Sequence, residues 1–273
     1  MDAVKPILQI ENLQTHFFTK SGVVKAVDGV SFDIKAGEVV GLVGESGSGK
    51  SITGFSVMGL VDAPGKIVGG RIMFQGEDIA AMSPQQLQSL RGNRISMIFQ
   101  DPMMTLNPVL RVETQMVEAI KAHDSMISKS EARARARDAL GLVGISAPEE
   151  RMRAYPHQFS GGMRQRVVIA LAVSTDPQLI IADEPTTALD VTIQAQVLKL
   201  MSDLQKETGM SILLITHDMG IVNQIADDIC IMYAGRIAEK GSRENIFKNM
   251  ENDNSQGEGS TSKDTYPANR RIV

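Results

Sequence analysis

The sequence has no long apolar run and no sign of a secretory leader. No stretch reaches about 18 uninterrupted apolar residues, so no segment is expected to span a bilayer. Residues 1–17 carry charges from the second residue onward and contain no apolar run long enough for a signal peptide. Any role at a membrane is therefore expected to depend on a partner protein.

Cysteine is scarce, and an excess of basic residues is lacking. The 273 residues include one cysteine, Cys230, which excludes an internal disulfide and a multi-cysteine metal site, and a reducing compartment fits. The formal net charge of −4 gives no basic excess of the kind that binding to a phosphate backbone requires, so no nucleic acid is expected as a partner. The rest is an ordinary globular composition, 42% hydrophobic and 22% charged, in a length that can bury a substantial core.

The first hundred residues predict strands around one helix. Residues 7–47 alternate short β-rich runs with turn residues, which predicts a small antiparallel sheet leading into a buried strand. From Gly49 to about Val61 the pattern is helical. Residues 71–99 return to strands on either side of a turn-rich segment at 82–90.

The middle of the chain, about 101–158, is predicted to be mostly helical. Its clearest helix begins at Ser128, where Ser128 and Glu131 form a capping-box pattern that satisfies exposed backbone donors. Alanine and arginine then fill the segment as far as Gly144, which predicts its end.

From 160 to 240, helical segments alternate with apolar strands. This alternation predicts a mostly parallel sheet with crossover helices, hence an α/β fold. After Asn249 the sequence has almost no apolar residues, so it cannot offset its own ordering entropy. Residues 249–273 are therefore predicted to be a disordered polar tail.

A glycine-rich loop carries the clearest chemical signal. A buried-strand pattern precedes it and a helical pattern follows, so backbone N–H groups and a helix N-terminus should converge there on phosphate oxygens. Lys50 should reach the β- and γ-phosphates, and the Ser51 hydroxyl should bind magnesium. The loop, called the phosphate loop below, consists of Gly44, Glu45, Ser46, Gly47, Ser48, Gly49, Lys50 and Ser51.

Two adjacent acids end the apolar strand at 179–183. Asp183 is predicted to hold the magnesium shell, and Glu184 is placed to orient or deprotonate the attacking water. Two neighbouring carboxylates at the end of a buried strand are costly unless a cation lies near them. This pair therefore predicts a site shared with the phosphate loop.

Two further polar residues follow strands, and each is ambiguous by itself. His217 follows the strand at 211–216, where an imidazole N–H can donate to the γ-phosphate, but lone histidines are more often structural. Gln100 ends another strand, where its amide could contact the magnesium or the attacking water and act as a sensor, or could be structurally neutral.

Six motifs in a fixed order resemble those of an ABC-family nucleotide-binding domain. They match its Walker A, Q-loop, signature, Walker B, D-loop and H-loop, and the resemblance covers roughly residues 7–245. The motifs are the phosphate loop, Gln100, Phe159–Gln165, Leu179–Pro185, Ala188-Leu189-Asp190 and His217. The resemblance implies a RecA-like P-loop ATPase core with an N-terminal antiparallel β-subdomain and an inserted α-helical subdomain at about 101–158, within a domain spanning 1–248.

The family resemblance also implies how ATP and Mg²⁺ are used. Two such domains close head to tail around two ATP molecules, so Ser160, Gly161 and Gly162 should bind the γ-phosphate of ATP held by the partner. Asp190 should lie across the same interface. Phe17 is predicted to support adenine, with the neighbouring Phe18 as the alternative.

A finer resemblance connects the chain with bacterial oligopeptide and dipeptide importer ATPases. It rests on residues 100–108 and 155–166. It implies a second ATPase subunit in a hetero- or homodimer, two membrane-spanning permease subunits, an extracytoplasmic substrate-binding protein, and a peripheral location on the cytoplasmic face of the bacterial inner membrane. Phe159 and Met163 depart from the commonest signature, and the tail stands where this subgroup has a C-terminal extension.

Two alternative functions stay open from the sequence. One is a soluble ABC ATPase of nucleic-acid repair or translation, although the tandem ATPase domains, coiled coil or zinc-binding cysteines of such proteins are missing. The other is a nonhydrolysing partner subunit, against which Glu184 and His217 both argue.

Overall fold

The computed structural model describes residues 5–187 and 189–255. Over this range the strands are β1 (Pro6–Thr19), β2 (Gly22–Lys35), β3 (Val39–Val43), β4 (Gly65–Phe74), β5 (Glu77–Asp78), β6 (Ile95–Ile98), β7 (Leu179–Asp183), β8 (Ser211–Thr216), β9 (Asp228–Tyr233) and β10 (Arg236–Ser242). The α-helices are α1 (Lys50–Met58), α2 (Pro84–Leu90), α3 (Pro102–Thr105), α4 (Val112–His123), α5 (Lys129–Leu142), α6 (Pro148–Arg151), α7 (Gly161–Val173), α8 (Val191–Thr208), α9 (Met219–Ile225) and α10 (Arg243–Ser255).

A six-stranded sheet with the order β10-β9-β3-β8-β7-β6 forms the centre of the fold. Strands β9, β3, β8, β7 and β6 pair in parallel, and β10 is antiparallel to β9. Every residue of β3, β7 and β8 is buried, as expected of parallel strands covered on both faces. The predicted mostly parallel sheet with crossover helices is confirmed.

The pairing register brings the carboxyl ends of these strands to one edge. Val43 of β3 pairs with Thr216 of β8, and Asp183 of β7 pairs with Ile215. Ile98 of β6 pairs with Ala182. The segments that follow β3, β8, β7 and β6 therefore emerge side by side, where open α/β sheets usually bind ligands.

A second, antiparallel sheet with the order β2-β1-β4-β5 covers one face of the parallel sheet. Its buried side chains share a hydrophobic core with alternate residues of the central strands and with Val57 of α1. A separate core on the opposite face joins the parallel sheet to α4, α5, α7 and α8. Helix α1 and the phosphate loop thus lie on the side of the antiparallel sheet.

The segment at 101–158 is mainly helical in the structure, as the sequence predicts. Ser128 and Glu131 form the expected capping box: the Glu131 N–H donates to the Ser128 hydroxyl, and the Ser128 N–H donates to the Glu131 carboxylate. Arg133 of α5 joins α4 to α6, because its guanidinium donates to Glu113 at 2.8 Å and also to Glu149.

The structure differs from the sequence prediction in two places. The supposedly turn-rich segment at 82–90 contains helix α2, which begins with a capping box between Ser83 and Gln86. Helix α10 extends from Arg243 to Ser255, so the predicted start of the tail at 249 lies inside a helix. The remaining tail residues, 256–273, lie outside the described residues. Among the described helices, none has both the length and the apolar composition needed to cross a membrane.

Candidate functional site

A cavity of about 690 Å³ lies between the phosphate loop and the carboxyl ends of the parallel strands. It brings together groups that are far apart in the sequence, namely Gln100, Glu184, His217 and most of the phosphate loop. The lining residues are Ala26, Glu45, Ser46, Gly47, Gly49, Lys50, Ser51, Ile52, Gln100, Glu184, Thr187 and His217. The structure therefore assembles most of the predicted site in one place.

Two glycines of the phosphate loop are required by the packing around it. A Cβ on Gly44 would lie 2.1 Å from the Met232 carbonyl oxygen. A Cβ on Gly49 would lie 2.1 Å from the Ala26 carbonyl oxygen, and its φ of +104° is itself unfavourable for other residues. The loop thus touches the backbones of β2 and β9 with no room for a side chain.

Ser48 has a hydroxyl suited to a ligand in this loop. Its side-chain oxygen is buried and finds no hydrogen-bond partner among the described residues. Buried polar atoms in proteins are nearly always paired, so an orphaned hydroxyl in a glycine-rich loop indicates a missing hydrogen-bonding group. A phosphate oxygen fits this description.

The Lys50 side chain folds back over its own loop. Its ammonium donates to the carbonyl oxygens of Gly44 at 2.7 Å and Glu45 at 2.8 Å. Burial lowers the pKa of Lys50, and the carboxylates of Glu184 and Asp183 oppose that shift. The ammonium is therefore already positioned at the loop, where phosphate oxygens can replace one of the carbonyl acceptors.

Ser51 lines the cavity, and the buried carboxylate of Asp183 lies next to its hydroxyl. The Ser51 hydroxyl donates to Asp183 at 3.0 Å. Burial raises the pKa of Asp183 above its usual value, and the hydrogen bond from Ser51 and the charge of Lys50 offset this shift only in part. A hydroxyl and a carboxylate are ligands that Mg²⁺ prefers, and Mg²⁺ usually completes its shell with water and substrate phosphates. The two residues fit a magnesium ion bound together with a nucleotide.

Glu184 is the most connected side chain of the cavity. One carboxylate oxygen accepts from the Thr187 hydroxyl at 2.8 Å and from the Gln100 amide at 3.1 Å. The other lies 3.1 Å from Nδ1 of His217. Burial raises the pKa of Glu184, but the hydrogen bonds from Thr187 and His217, together with the nearby charge of Lys50, hold the pKa below its usual value.

The backbone at Glu184 also helps to aim this carboxylate. Glu184 has a left-handed φ of +47°, which is costly for a residue with a Cβ. Its N–H donates to the Ile215 carbonyl at 2.8 Å, so β8 holds the residue in this conformation. The side chain is thereby turned out of the sheet and into the cavity, where it can activate a water molecule.

Among the described polar residues that line the cavity, Thr187 is the one that the sequence motifs did not identify. It lies three residues after Glu184 in the turn that follows β7, and its hydroxyl is a donor to the catalytic candidate. The only sequence signal is a hydroxyl residue at this short distance from an acid, which is too common to indicate a site by itself.

The predicted signature residues lie outside this cavity. Ser160 caps helix α7, and its hydroxyl accepts from the Met163 N–H at 3.3 Å. Ser160 and Gly161 are exposed, whereas Gly162 is buried. Asp190 caps helix α8 through a 2.9 Å bond from the Ile193 N–H and is also exposed. None of these four lines the cavity that contains the phosphate loop.

The two signature glycines should respond differently to the same substitution. A Cβ on Gly162 would lie 2.7 Å from Ile193, whereas a Cβ on Gly161 would meet its nearest atom at 3.8 Å. We expect Gly162→Ala to lower the free energy of unfolding by about 1–3 kcal/mol through overpacking. Gly161→Ala should change it by less than about 1 kcal/mol. Urea unfolding of both variants measures the contrast, and equal losses would contradict it.

Phe17 and Phe18 lie on β1 and are not among the residues that line the cavity. Phe17 is partly buried and pairs across the sheet with Gly65. A Cβ added to Gly65 would lie 2.7 Å from the Phe17 ring. Phe18 is 47% exposed. Neither ring lines the cavity, and a role in adenine binding stays a prediction.

Comparison with known proteins identifies relatives of this site and fold. The sequence model of the family described as ABC transporter matches residues 27–187. The dipeptide transport ATP-binding protein DppD of Bacillus subtilis is 52% identical over 245 residues, which cover 89% of this chain and 73% of that protein. The protein of the same name from Escherichia coli is 48% identical over 241 residues, covering 88% and 73%.

Solved structures support the same relationship. A dimeric ATP-binding cassette in a post-hydrolysis state, bound to ADP and Pi, has a TM-score of 0.77 and 26% identity, and the match covers 86% of this chain and 98% of that chain. The cbiO1 protein of Clostridium perfringens, part of the ABC transporter complex cbiONQ, has a TM-score of 0.76 and 29% identity, covering 92% and 94%. The predicted P-loop ATPase fold is confirmed.

Proposed function

The chain belongs to the ABC transporter family, and we propose that it is the ATP-hydrolysing subunit of a bacterial importer that takes up peptides. It is an ATP-binding ATPase of this family. The observation that carries the hydrolytic role is Glu184, held by Thr187, Gln100 and His217 beside the phosphate loop. The proposal of peptides as cargo rests on relatives that are dipeptide and oligopeptide transport ATP-binding proteins.

The phosphate loop binds the phosphates of ATP in the proposed mechanism. Its backbone N–H groups and the N-terminus of α1 face the phosphate oxygens, and Lys50 contacts the β- and γ-phosphates. Ser51, Asp183 and Gln100 would hold Mg²⁺. Bound Mg²⁺ neutralises charge on the β- and γ-phosphate oxygens.

Glu184 then positions the attacking water or accepts its proton. Its lowered pKa keeps the carboxylate ionised, and the contacts from Thr187 and Gln100 hold one of its oxygens in place. The His217 imidazole is placed to donate a hydrogen bond to the γ-phosphate as charge develops there. Gln100 contacts Glu184 and immediately precedes the helical segment, so it can report the state of the site to α3.

The second half of each ATP site comes from a partner subunit. Ser160, Gly161 and Gly162 bind the γ-phosphate of the partner's ATP, and Asp190 contacts the partner across the interface. Their position outside the chain's own cavity supports this arrangement. A hydroxyl and approachable N–H groups at a helix start suit an anion. ATP binding therefore closes the dimer, and hydrolysis reopens it.

The assembled importer contains further subunits. The partner ATPase can be a second copy or a different chain, and two membrane-spanning permease subunits receive the motion of the helical segment. A substrate-binding protein delivers the peptide on the outer side. The chain lies peripherally on the cytoplasmic face of the bacterial inner membrane.

The adenine of ATP is supported by Phe17, or by the neighbouring Phe18.

Peptide uptake in cells tests the proposal. Deleting this chain is expected to abolish uptake of radiolabelled di- or oligopeptides, because the importer loses its source of energy. Restoring the chain should restore uptake, whereas Glu184→Gln expressed at the same level should not. Uptake of a free amino acid serves as the control. Unchanged peptide uptake in the deletion strain, or rescue by Glu184→Gln, would contradict the proposal.

A further inference from the structure

The turn between β9 and β10 lies directly against the phosphate loop. Tyr233 and Arg236 pair across the hairpin, and two residues, Ala234 and Gly235, connect them. Both have left-handed φ values, +45° and +82°, which are the values of a tight two-residue hairpin turn. Ala234 carries a Cβ in this conformation, so its surroundings must hold the turn in place.

Gly235 contacts both the loop and the antiparallel sheet through its backbone. Its N–H donates to the Ser48 carbonyl at 3.0 Å, and its carbonyl accepts from the Asp28 N–H at 2.8 Å. A Cβ at this position would lie 3.0 Å from the Lys25 carbonyl oxygen and 3.1 Å from that of Ala26. Gly235 is therefore fitted between β2 and the phosphate loop.

The bond to Ser48 determines the direction of the next peptide group. In a planar trans peptide the C=O and N–H groups point to opposite sides. Since the Ser48 carbonyl points to Gly235, the Gly49 N–H of the same peptide points the other way. Gly49 lines the cavity, so this N–H, turned away from Gly235, is available to a phosphate bound there.

An ion pair holds the turn on the sheet. The Arg236 guanidinium donates to the Asp28 carboxylate at 2.7 Å, and Lys25 and His16 lie 3.8 Å and 3.7 Å from the same carboxylate. The hydrogen bond from Arg236 lowers the pKa of Asp28, which keeps the carboxylate ionised. The Asp28 side chain is 15% exposed, whereas that of Arg236 is 70% exposed.

We propose that Gly235, held on β2 by Asp28 and Arg236, is a positioning residue for ATP binding that orients the Gly49 N–H toward the phosphates. Gly235, Asp28 and Arg236 are not among the residues that line the cavity, so their effect on ATP passes through the Ser48–Gly49 peptide. This inference rests on the proposed role of the phosphate loop. It adds a structural element outside the six motifs to the ATP site.

Gly235→Ala tests this role. The added methyl group would push the turn away from the Lys25 and Ala26 carbonyls and weaken the hold on Ser48. We expect the KM for ATP of the assembled importer, and the Kd for ATP and ADP of the full chain, to rise about tenfold with kcat within about twofold. An interaction made equally in the ground and transition states produces this pattern.

Gly76→Ala is the matched control. Gln75 and Gly76 form the turn between β4 and β5 with φ values of +50° and +84°, so the intrinsic cost of an alanine is closely similar. An added Cβ at Gly76 would meet nothing within 4 Å. This variant should keep the KM for ATP within about twofold of the wild-type value, since it alters no group near the phosphates.

Changes in the ion pair provide a second test that leaves the turn glycine intact. Arg236→Glu should raise the KM for ATP by about two- to fivefold, because an exposed pair contributes modestly and the new charge repels Asp28. Arg236→Lys keeps the charge and should stay within about twofold of wild type. A fall in thermal stability without a change in KM would assign the pair a structural role only.

The outcomes separate this inference from the proposed function. If Gly235→Ala binds ATP as well as Gly76→Ala does, or loses kcat at unchanged KM, the positioning role is wrong. Lys50→Met is measured in parallel, because it removes the ammonium from the loop itself. Normal ATP binding and turnover by Lys50→Met would overturn the proposed phosphate-loop site, whatever the Gly235 variant does.

Discussion

Replacing Glu184 by glutamine is expected to reduce ATP turnover by about 10²-fold or more while ATP binding is retained. Glutamine has nearly the shape of glutamate, and its carbonyl oxygen can still accept the hydrogen bond from Thr187. It cannot accept a proton from water, and it carries no charge to orient the water's hydrogen atoms. The loss should therefore appear in kcat.

The position of Glu184 explains why ATP affinity should survive. Its carboxylate contacts Gln100, Thr187 and His217, whereas the phosphate loop is organised by Lys50 and backbone groups. Removing a negative charge from the cavity also reduces repulsion of the γ-phosphate. ATP affinity should stay equal to that of the wild type or increase.

Phosphate release and calorimetric nucleotide binding measure the two quantities separately. Glu239→Gln is a suitable control, because Glu239 lies on β10 and is bonded by Asn249 outside the cavity. The turnover of Thr187→Val should lie between those of Glu184→Gln and Glu239→Gln, since the carboxylate of Glu184 remains but loses the 2.8 Å hydrogen bond from Thr187. Turnover of Glu184→Gln near the wild-type rate would remove Glu184 from the role of base.

The convergence of the motifs could be predicted because it follows from one topological rule. Apolar runs at β3, β7 and β8 identify parallel strands, and the residues after such strands must meet at one edge. This rule predicts that Glu184, His217 and the phosphate loop lie close together, and in the structure all three line one cavity. Their roles in catalysis stay predictions until the variants are measured.

Contacts between distant backbone segments could not be predicted from local patterns. The Gly235 bond to Ser48 joins residues whose sequences carry no shared signal, because a backbone hydrogen bond makes no demand on side-chain type. The sequence pattern does not predict helix α2, for another reason. Its serine and proline suggest a turn, but Ser83 and Gln86 form a capping box with Pro84 in the first turn of the helix. At the other end of the segment, Arg91 donates to the carbonyls of Met58 and Gly59, a contact that the local pattern does not indicate.

Ser160→Arg is expected to separate ATP binding by the isolated chain from ATP hydrolysis by the assembled importer. Ser160 is exposed at the start of α7 and does not line the cavity with the phosphate loop. The isolated chain should therefore bind ATP with a Kd within about twofold of wild type. In the assembled importer, the bulky side chain would keep the helix start away from the partner's γ-phosphate, and turnover should fall about 10²-fold or more.

The loss of a helix cap needs its own control, and helix α5 supplies one. Ser128 caps α5 in the same way as Ser160 caps α7. The Ser128 hydroxyl accepts from the Glu131 N–H at 3.2 Å, and the Ser160 hydroxyl accepts from the Met163 N–H at 3.3 Å. Ser128→Arg should thus cost about the same 0.5–2 kcal/mol of stability without loss of turnover. If Ser160→Arg weakens ATP binding of the isolated chain as much as it slows the importer, Ser160 serves the chain's own ATP. A selective loss of turnover, absent from Ser128→Arg, is the result expected if each ATP is enclosed by two subunits.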